Sequence, residues 1–446
     1  MNDLISYFDK IANAFDKAKT AFSDTMNSNN TTSDTSASAS QIVPDNTASP
    51  TADTIIDTTD TAAASNAAPA APTSDATPPI VVPPTENTPT TDKDTLVVSP
   101  TQEKTIDLDN PEVRLKTSIT LPNNGYVTGF SIQGRSHIMM GKGCEDYHAF
   151  ENLGDGWYLA ITSDGAGSAR ESARGSKANC ELATRLVKQL IEQRKWQENS
   201  YMPTEIEWYI EIKNIFEVMQ TIIIRSAASQ VDSYKQDQET LLTKLQEQEA
   251  NETDVNKKMK LQIQMDDVKD NIAKPLEARD FNATIILMLI TPQGIMTAHI
   301  GDGRMGYLTQ DGKWKALMTP HKGEEASATV FLPNNWNRQL TVPIFKMSDV
   351  FLPETHVIRE YPKAFVLMSD GCESFSWTCS VFDQTKNIYY DRNEPFERFL
   401  NPLIDALNEV NTEEERVTDM IDIINIGTTG GKKEQDDRTM LLGVLK

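Results

Sequence analysis

Trp157-Tyr-Leu-Ala-Ile-Thr-Ser-Asp164-Gly165-Ala166-Gly167-Ser168 is the stretch on which the reading of this chain turns. An apolar, β-favouring run stops abruptly at a carboxylate followed by glycine, the mark of a strand ending at an acidic loop. The pattern recurs. Phe365-Val-Leu-Met-Ser-Asp370-Gly371 is a second run ending in Ser-Asp-Gly, and Met296-Thr-Ala-His-Ile-Gly-Asp302-Gly303 ends in Gly-Asp-Gly. A mirrored version puts Asp436 and Asp437 just ahead of a closing strand, and Glu145-Asp146 precedes the strand that holds His148.

A single Asp-Gly is ordinarily a turn, with glycine supplying the positive φ. The set argues otherwise. Asp164-Gly165 leads into Ala-Gly-Ser and a helix, where a hairpin would need a second strand. Carboxylates at several strand ends can converge on one sheet edge, where like charges disfavour one another's ionisation. Divalent cations relieve that conflict. Hard oxygen donors without a His/Cys cluster point to Mg²⁺ or Mn²⁺ rather than zinc. Two such ions about 3.5–4 Å apart can lower the pKa of a shared water and direct it at phosphorus. A purely structural calcium site would gather its ligands within one loop, whereas these are scattered from Glu145 to Asp436. The glycine after each Asp is expected to let backbone approach a metal or phosphate closely.

The surrounding chain sets bounds. Of 446 residues, 38% are hydrophobic and 24% charged, a low apolar share for a compact protein. The deficit is local: from about 23 to 106 the chain is mostly Thr, Ser, Ala, Asp, Pro and Asn. The remainder is long enough to bury one sizeable core. With 42 Lys and Arg against 65 Asp and Glu, the net charge of -23 disfavours nucleic acid and anionic lipid as partners. No apolar run is long enough to span a bilayer, and the first residues lack the basic and apolar regions of a secretory signal. The four cysteines, Cys144, Cys180, Cys372 and Cys379, have no zinc-like spacing and read as reduced thiols of a cytoplasmic protein.

Residues 1–22 carry Leu4, Phe8, Ile11, Phe15 and Phe22 on a helical stripe, expected to dock on the chain's own domain or on a partner. A membrane-surface helix would want a more basic polar face. The linker over 23–110 is expected to be a disordered tether, since its Pro-rich and Thr-Asp repeats bury too little surface to offset chain entropy. The folded part is expected over 115–446. It holds strands near 126–134, 146–152, 157–162, 283–291, 294–300, 363–368 and 439–445, and helices over about 169–196 and 395–425. Gln-, Glu- and Lys-rich residues 205–275 read as a long helical segment with a solvated face. Strands grouped around a helical block indicate an α+β layered domain.

In order and surroundings these motifs resemble the metal-dependent Ser/Thr protein phosphatases of the 2C type, in a bacterial-type branch. The resemblance rests on Gly134-Arg135-Ser136-His137, Cys144-Glu145-Asp146, Ser163 to Ala169 with Ser172 and Gly175, Gly301-Asp302-Gly303-Arg304, Gly323-Glu324-Glu325 with Thr329 to Leu332, Ser369-Asp370-Gly371 and Asp436-Asp437-Arg438-Thr439. It implies an α-β-β-α sandwich of two antiparallel sheets flanked by helices, with residues 205–275 as a helical insertion. It also implies hydrolysis of phosphoserine and phosphothreonine by a metal-bridged hydroxide, with no covalent intermediate. By position, Asp164 would bridge both ions and the Gly165 carbonyl would bind one. Asp370 and Asp436 would bind the second ion, and Asp146 would hold the first through water beside Glu145. Asp302 matches a residue linked to a third ion, and residues 320–335 fall at a variable flap. Phosphorylated proteins, and a cognate Ser/Thr kinase, are the implied partners.

The departures from the pattern are specific. Gly141 stands where well-studied members carry a phosphate-gripping Arg, four residues before Glu145. Arg135, His137 and Lys142 are the candidates to replace it, Arg135 first, because a guanidinium holds phosphate through paired hydrogen bonds. Ala166 stands where some members place a general-acid His, which leaves His137, His148 or metal-bound water to protonate the leaving group. Ser374 stands where a further acidic ligand often occurs, four residues after Asp370. Cys144 and Cys372 read as buried apolar filler. The competing function is a catalytically silent phosphatase-like module that binds a phosphoprotein or partner.

Overall fold

The computed structural model describes residues 111–321, 329–333, 353–425 and 427–446. The expected helix at 1–22, the tether at 23–110, Gly323 to Glu325 and much of the 320–335 flap lie outside the described residues.

Two antiparallel sheets make the framework. In the first, the strand order is β1 (Val113–Thr120), β2 (Tyr126–Ile132), β13 (Arg438–Val444), β10 (Ala364–Met368), β7 (Arg304–Leu308) and β8 (Trp314–Ala316). In the second it is β3 (Tyr147–Gly154), β4 (Trp157–Ser163), β5 (Ile285–Thr291), β6 (Gly294–Ile300) and β9 (Glu354–Ile358). A separate hairpin joins β11 (Trp377–Asp383) to β12 (Ile388–Pro395).

Strand alternation explains the layering. On β10, Phe365 and Leu367 face inward with Leu441 of β13, meeting Ala160, Ile286 and Met288 of the second sheet. The alternate residues Val366 and Met368 face outward, onto Leu400, Leu403 and Leu407 of α6 (Glu397–Asn408) and Val417, Met420 and Ile424 of α7 (Glu413–Asn425). On the far side, α2 (Ser172–Arg194) and α3 (Glu205–Ser229) cover the second sheet. The result is the α-β-β-α sandwich. Both central strands are buried on both faces, which is why they read as unbroken apolar runs.

α3 begins at a capping box, with the Thr204 side chain accepting from Glu207 N while Glu207 accepts from Thr204 N at 2.8 Å. Its Trp208 is fully buried and donates Nε1 to Thr297 O of β6 at 2.7 Å. Beyond α3, α4 (Val231–Asn251) and α5 (Val255–Ala273) pack on each other around Leu245, Met265 and Val268, a small core of their own. Arg170 fastens their base: it donates to Lys274 O at 3.0 Å, Pro275 O at 2.8 Å and Asp280 Oδ1 at 2.8 Å, and lies over the Tyr234 ring. No helix among the described residues is long and apolar enough to cross a membrane.

Truncating Trp208 removes both its packing and its bond to β6. Trp208→Ala is expected to lower unfolding stability by about 3–5 kcal/mol, read as a fall in the urea midpoint at unchanged slope.

Candidate functional site

Five loops bring the aspartates within electrostatic reach of one another. Asp146 lies just before β3, Asp164 just after β4, Asp302 between β6 and β7, Asp370 just after β10, and Asp436 just before β13. Their charges act on one another. Burial, then Asp437, holds the Asp146 carboxyl well above the ordinary carboxylate range, with Asp436 and Asp370 adding to the shift. Asp164 is raised in the same way by burial, then by Asp146, Asp370, Asp436 and Asp302. Asp370 is pushed up to about 7 by burial, Asp302 and Asp436. Asp436, at the exposed rim, is raised by desolvation and by Asp437.

Three oxygen atoms of this cluster lack donors. Asp146 Oδ2, Asp370 Oδ1 and Glu145 Oε2 are buried with no hydrogen-bond partner. Buried acceptors without donors are costly. Oxygen-rich, donor-poor surroundings are the donor set that a hard divalent cation requires, so the residues present fit Mg²⁺ or Mn²⁺.

Glycine has a different use here from the one its sequence context suggests. None of Gly165, Gly303 and Gly371 has positive φ, so none follows its Asp as a left-handed turn residue. What forbids a side chain is the neighbouring loop. A Cβ on Gly165 would lie 2.6 Å from Glu145 O, one on Gly303 2.4 Å from Met368 O, and one on Gly371 2.0 Å from Asp437 O. The close approach is therefore of one acidic loop to the next. Gly134 repeats this, its Cβ falling 2.3 Å from the Asp436 carbonyl carbon.

Asp437, next to Asp436 in the sequence, has a role that its motif does not announce. Fully buried, it accepts at Oδ1 from Gly134 N (2.6 Å) and from His137 Nδ1 (2.9 Å), and at Oδ2 from Glu145 N. It thereby joins the segment 134–137 to the Glu145-Asp146 loop and to Asp436. Arg135 sits at the start of α1 (Arg135–Met140), beside this knot, its backbone N–H donating to Glu434 O at 3.3 Å. His137 is buried, raised by its bond to Asp437, with Nε2 3.8 Å from Glu145 Oε2. His148 stands apart from the cluster: sealed between Ser131 Oγ (2.9 Å) and Thr117 Oγ1 (3.0 Å), it is pushed down to about 3 by burial. Asp302 accepts from Thr329 Oγ1 at 2.6 Å.

Two buried arginines hold the loops from behind. Arg304 donates to Glu373 Oε2 at 2.6 Å and to Asp391 Oδ2 at 2.7 Å, tying the strand after Asp302 to the loop after Asp370 and to the β11–β12 hairpin. Arg438 donates to Asn425 Oδ1 at 2.9 Å and Gln133 O at 3.1 Å. The signal for both was their place directly after Gly303 and Asp437. Cys144 and Cys372 are buried, their thiols pushed up mainly by desolvation.

The protein phosphatase 2C family model matches residues 133–422, well over half of the chain, and the chain belongs to that family. Its members are metal-dependent protein phosphatases. Among solved structures, a bacterial serine phosphatase is 11% identical over 72% of this chain and 97% of its own, with a TM-score of 0.39. The serine/threonine phosphatase Stp1 of Staphylococcus aureus is 11% identical over 74% and 98%, with a TM-score of 0.38. RsbX in complex with magnesium is 13% identical over 76% and 100%, with a TM-score of 0.33. No curated protein sequence matches the chain.

The crowded carboxylates fix the sign of a pH effect. In the absence of divalent ions, Asp146, Asp164 and Asp370 keep protons in the folded state that the unfolded chain has already released. Groups raised in this way stabilise the fold at low pH and lose that contribution as pH rises through their folded values. His137, also raised, acts in the same direction, while the neutral His148 and His299 titrate only on the acid side of the ordinary histidine range. Melting temperature in EDTA is thus expected to fall between about pH 6.5 and about pH 8, and saturating Mg²⁺ is expected to flatten the slope. A melting temperature in EDTA that is flat or rising over that window would remove the crowding argument.

Proposed function

We propose that this chain is an active protein phosphatase that hydrolyses phosphoserine and phosphothreonine in proteins with the help of two Mg²⁺ or Mn²⁺ ions. The observation that carries the reading is a set of buried aspartates that raise one another, with Asp146 Oδ2 and Asp370 Oδ1 left without hydrogen-bond partners. Asp164, Asp370 and Asp436 would hold the pair, Gly165 through its carbonyl, with Asp146 and Glu145 behind them and Asp302 available to a third. Bound there, the ions supply charge neutralisation at phosphorus and a water of lowered pKa.

The chain's own residues do the rest. Arg135 binds phosphate from the start of α1, a position supported by the contacts of residues 134–136 with 434–437. His137 acts through others: by donating to Asp437 it fixes the anchor on which Glu145 N and Gly134 N both converge. Phosphorylated proteins are the substrates, and a Ser/Thr kinase is the reaction class that must supply them. Four free thiols support a cytoplasmic setting. The silent-module reading draws on Gly141 and Ala166, at the places where an Arg and a His are expected.

Purified protein with Mn²⁺ and a phosphoserine peptide is expected to release phosphate. Asp164→Asn or Asp370→Asn should lose about 100-fold or more in kcat, the rate equivalent of several kcal/mol of lost charge stabilisation. Absent release from folded wild-type protein would hand the case to the silent module, and metal-independent release would remove the two-ion mechanism. Arg135→Ala is expected to raise KM roughly tenfold with kcat little changed; an unchanged KM would move phosphate binding elsewhere.

A further inference from the structure

His299, one residue before the end of β6, pairs in register with Glu354 of β9. His321, downstream of β8, returns to the same corner: its backbone N–H donates to Gly301 O at 2.8 Å. Its ring stacks on His299 with centroids 4.3 Å apart and planes at 28°. Glu354 Oε2 lies 3.7 Å from His299 Nε2 and 4.0 Å from His321 Nε2. One ligand atom from each of the three lies within 4.8 Å of the other two.

We infer that His299, His321 and Glu354 form a second metal site, separate from the aspartate cluster, for a transition ion of the zinc class. The donor set is the first reason. Two imidazoles and one carboxylate suit zinc and its neighbours, whereas Mg²⁺ and Mn²⁺ favour oxygen alone. Three protein ligands also leave a fourth position for water.

The tautomer of His299 is the second reason. Thr319 O accepts from Nε2 at 2.9 Å, and a carbonyl can only accept, so the ring proton is on Nε2. The lone pair is then on Nδ1, which is buried and without a hydrogen-bond partner. An N–H donated to a backbone carbonyl is how metal-binding imidazoles are oriented, and a ligand bond at Nδ1 leaves that contact intact. His356 Nε2 and Thr319 N hold the carboxylate in place, at 2.8 Å from Glu354 Oε1 and 3.0 Å from Oε2.

An ion here would bolt together β6, β9 and the chain at residue 321. It would also brace the Gly301-Asp302 loop, because His321 N–H already holds Gly301 O. The cluster is hidden in the sequence because its three ligands are apart in the chain: the β6–β9 register joins His299 to Glu354, and the His321 N–H bond to Gly301 O brings in the third.

Cobalt(II) is the probe. Full-length protein is stripped of metal, titrated with Co²⁺ and followed by visible absorption, then back-titrated with Zn²⁺. Wild type is expected to give the intense d–d bands of four-coordinate cobalt with nitrogen ligands, erased by Zn²⁺. The Asp164→Asn/Asp370→Asn double variant is expected to keep those bands. Glu354→Gln, which preserves shape, and His321→Ala should each weaken Co²⁺ binding at least tenfold, and Zn²⁺ should cease to raise their melting temperature. His299, sealed in the sheet, is left unaltered. Two results would overturn the inference: bands absent from wild type or unchanged in Glu354→Gln, or bands lost in the double aspartate variant, which would assign the ion to the aspartate cluster.

Discussion

Like-charge repulsion among aspartates that the fold forces together is the constraint on which the rest of this structure depends. Two unit charges 4 Å apart repel by about 4 kcal/mol at an effective dielectric of 20. A protein whose whole stability is about 5–15 kcal/mol cannot hold several ionised carboxylates at that density without protons or cations. Asp146, Asp164 and Asp370 show the proton solution, each raised chiefly by burial and then by its acidic neighbours. Members of the protein phosphatase 2C family are metal-dependent, and on the proposed function the orphaned oxygens of Asp146 and Asp370 are where a cation would fit.

The scaffold meets that constraint by rigidity. Four of the five acidic loops adjoin a strand buried on both faces, namely β4, β6, β10 or β13, and the glycines after Asp164, Asp302 and Asp370 let neighbouring loops touch backbone to backbone. Asp437 spends its own charge on three donors from two other segments. Arg304 and Arg438 clamp the loops from the interior, where a guanidinium can satisfy several acceptors at once. Crowding at the front is thus matched by hydrogen bonding behind.

The strands that carry the site were legible in the sequence because apolar runs ending in Asp-Gly are both periodic and punctuated. β5, β6 and β10 fall within the expected ranges, as do α2, α6 and α7, and β4 overruns its range by one residue, Ser163. What escaped were elements with no clean pattern. β1 carries Arg114, Lys116 and Ser118 among its apolar residues and is only half-buried, while β12 is almost entirely exposed. The short α1 follows Gly134 without a capping side chain. The role of Asp437 was hidden for another reason: its partners Gly134, His137 and Glu145 lie about 290–300 residues away, and only the pairing of β13 with β2 brings them near. The His299, His321 and Glu354 corner is invisible for the same cause.

The central claim is that the aspartate cluster holds protons until divalent ions displace them. Calorimetric titration of the metal-free protein with Mn²⁺ near pH 7, repeated in buffers of different ionisation enthalpy, counts those protons directly. Net release of protons on binding, lost together with Mn²⁺ affinity in Asp164→Asn, is the result this account predicts. Mn²⁺ binding that releases no proton, or that is indifferent to Asp164, would contradict it.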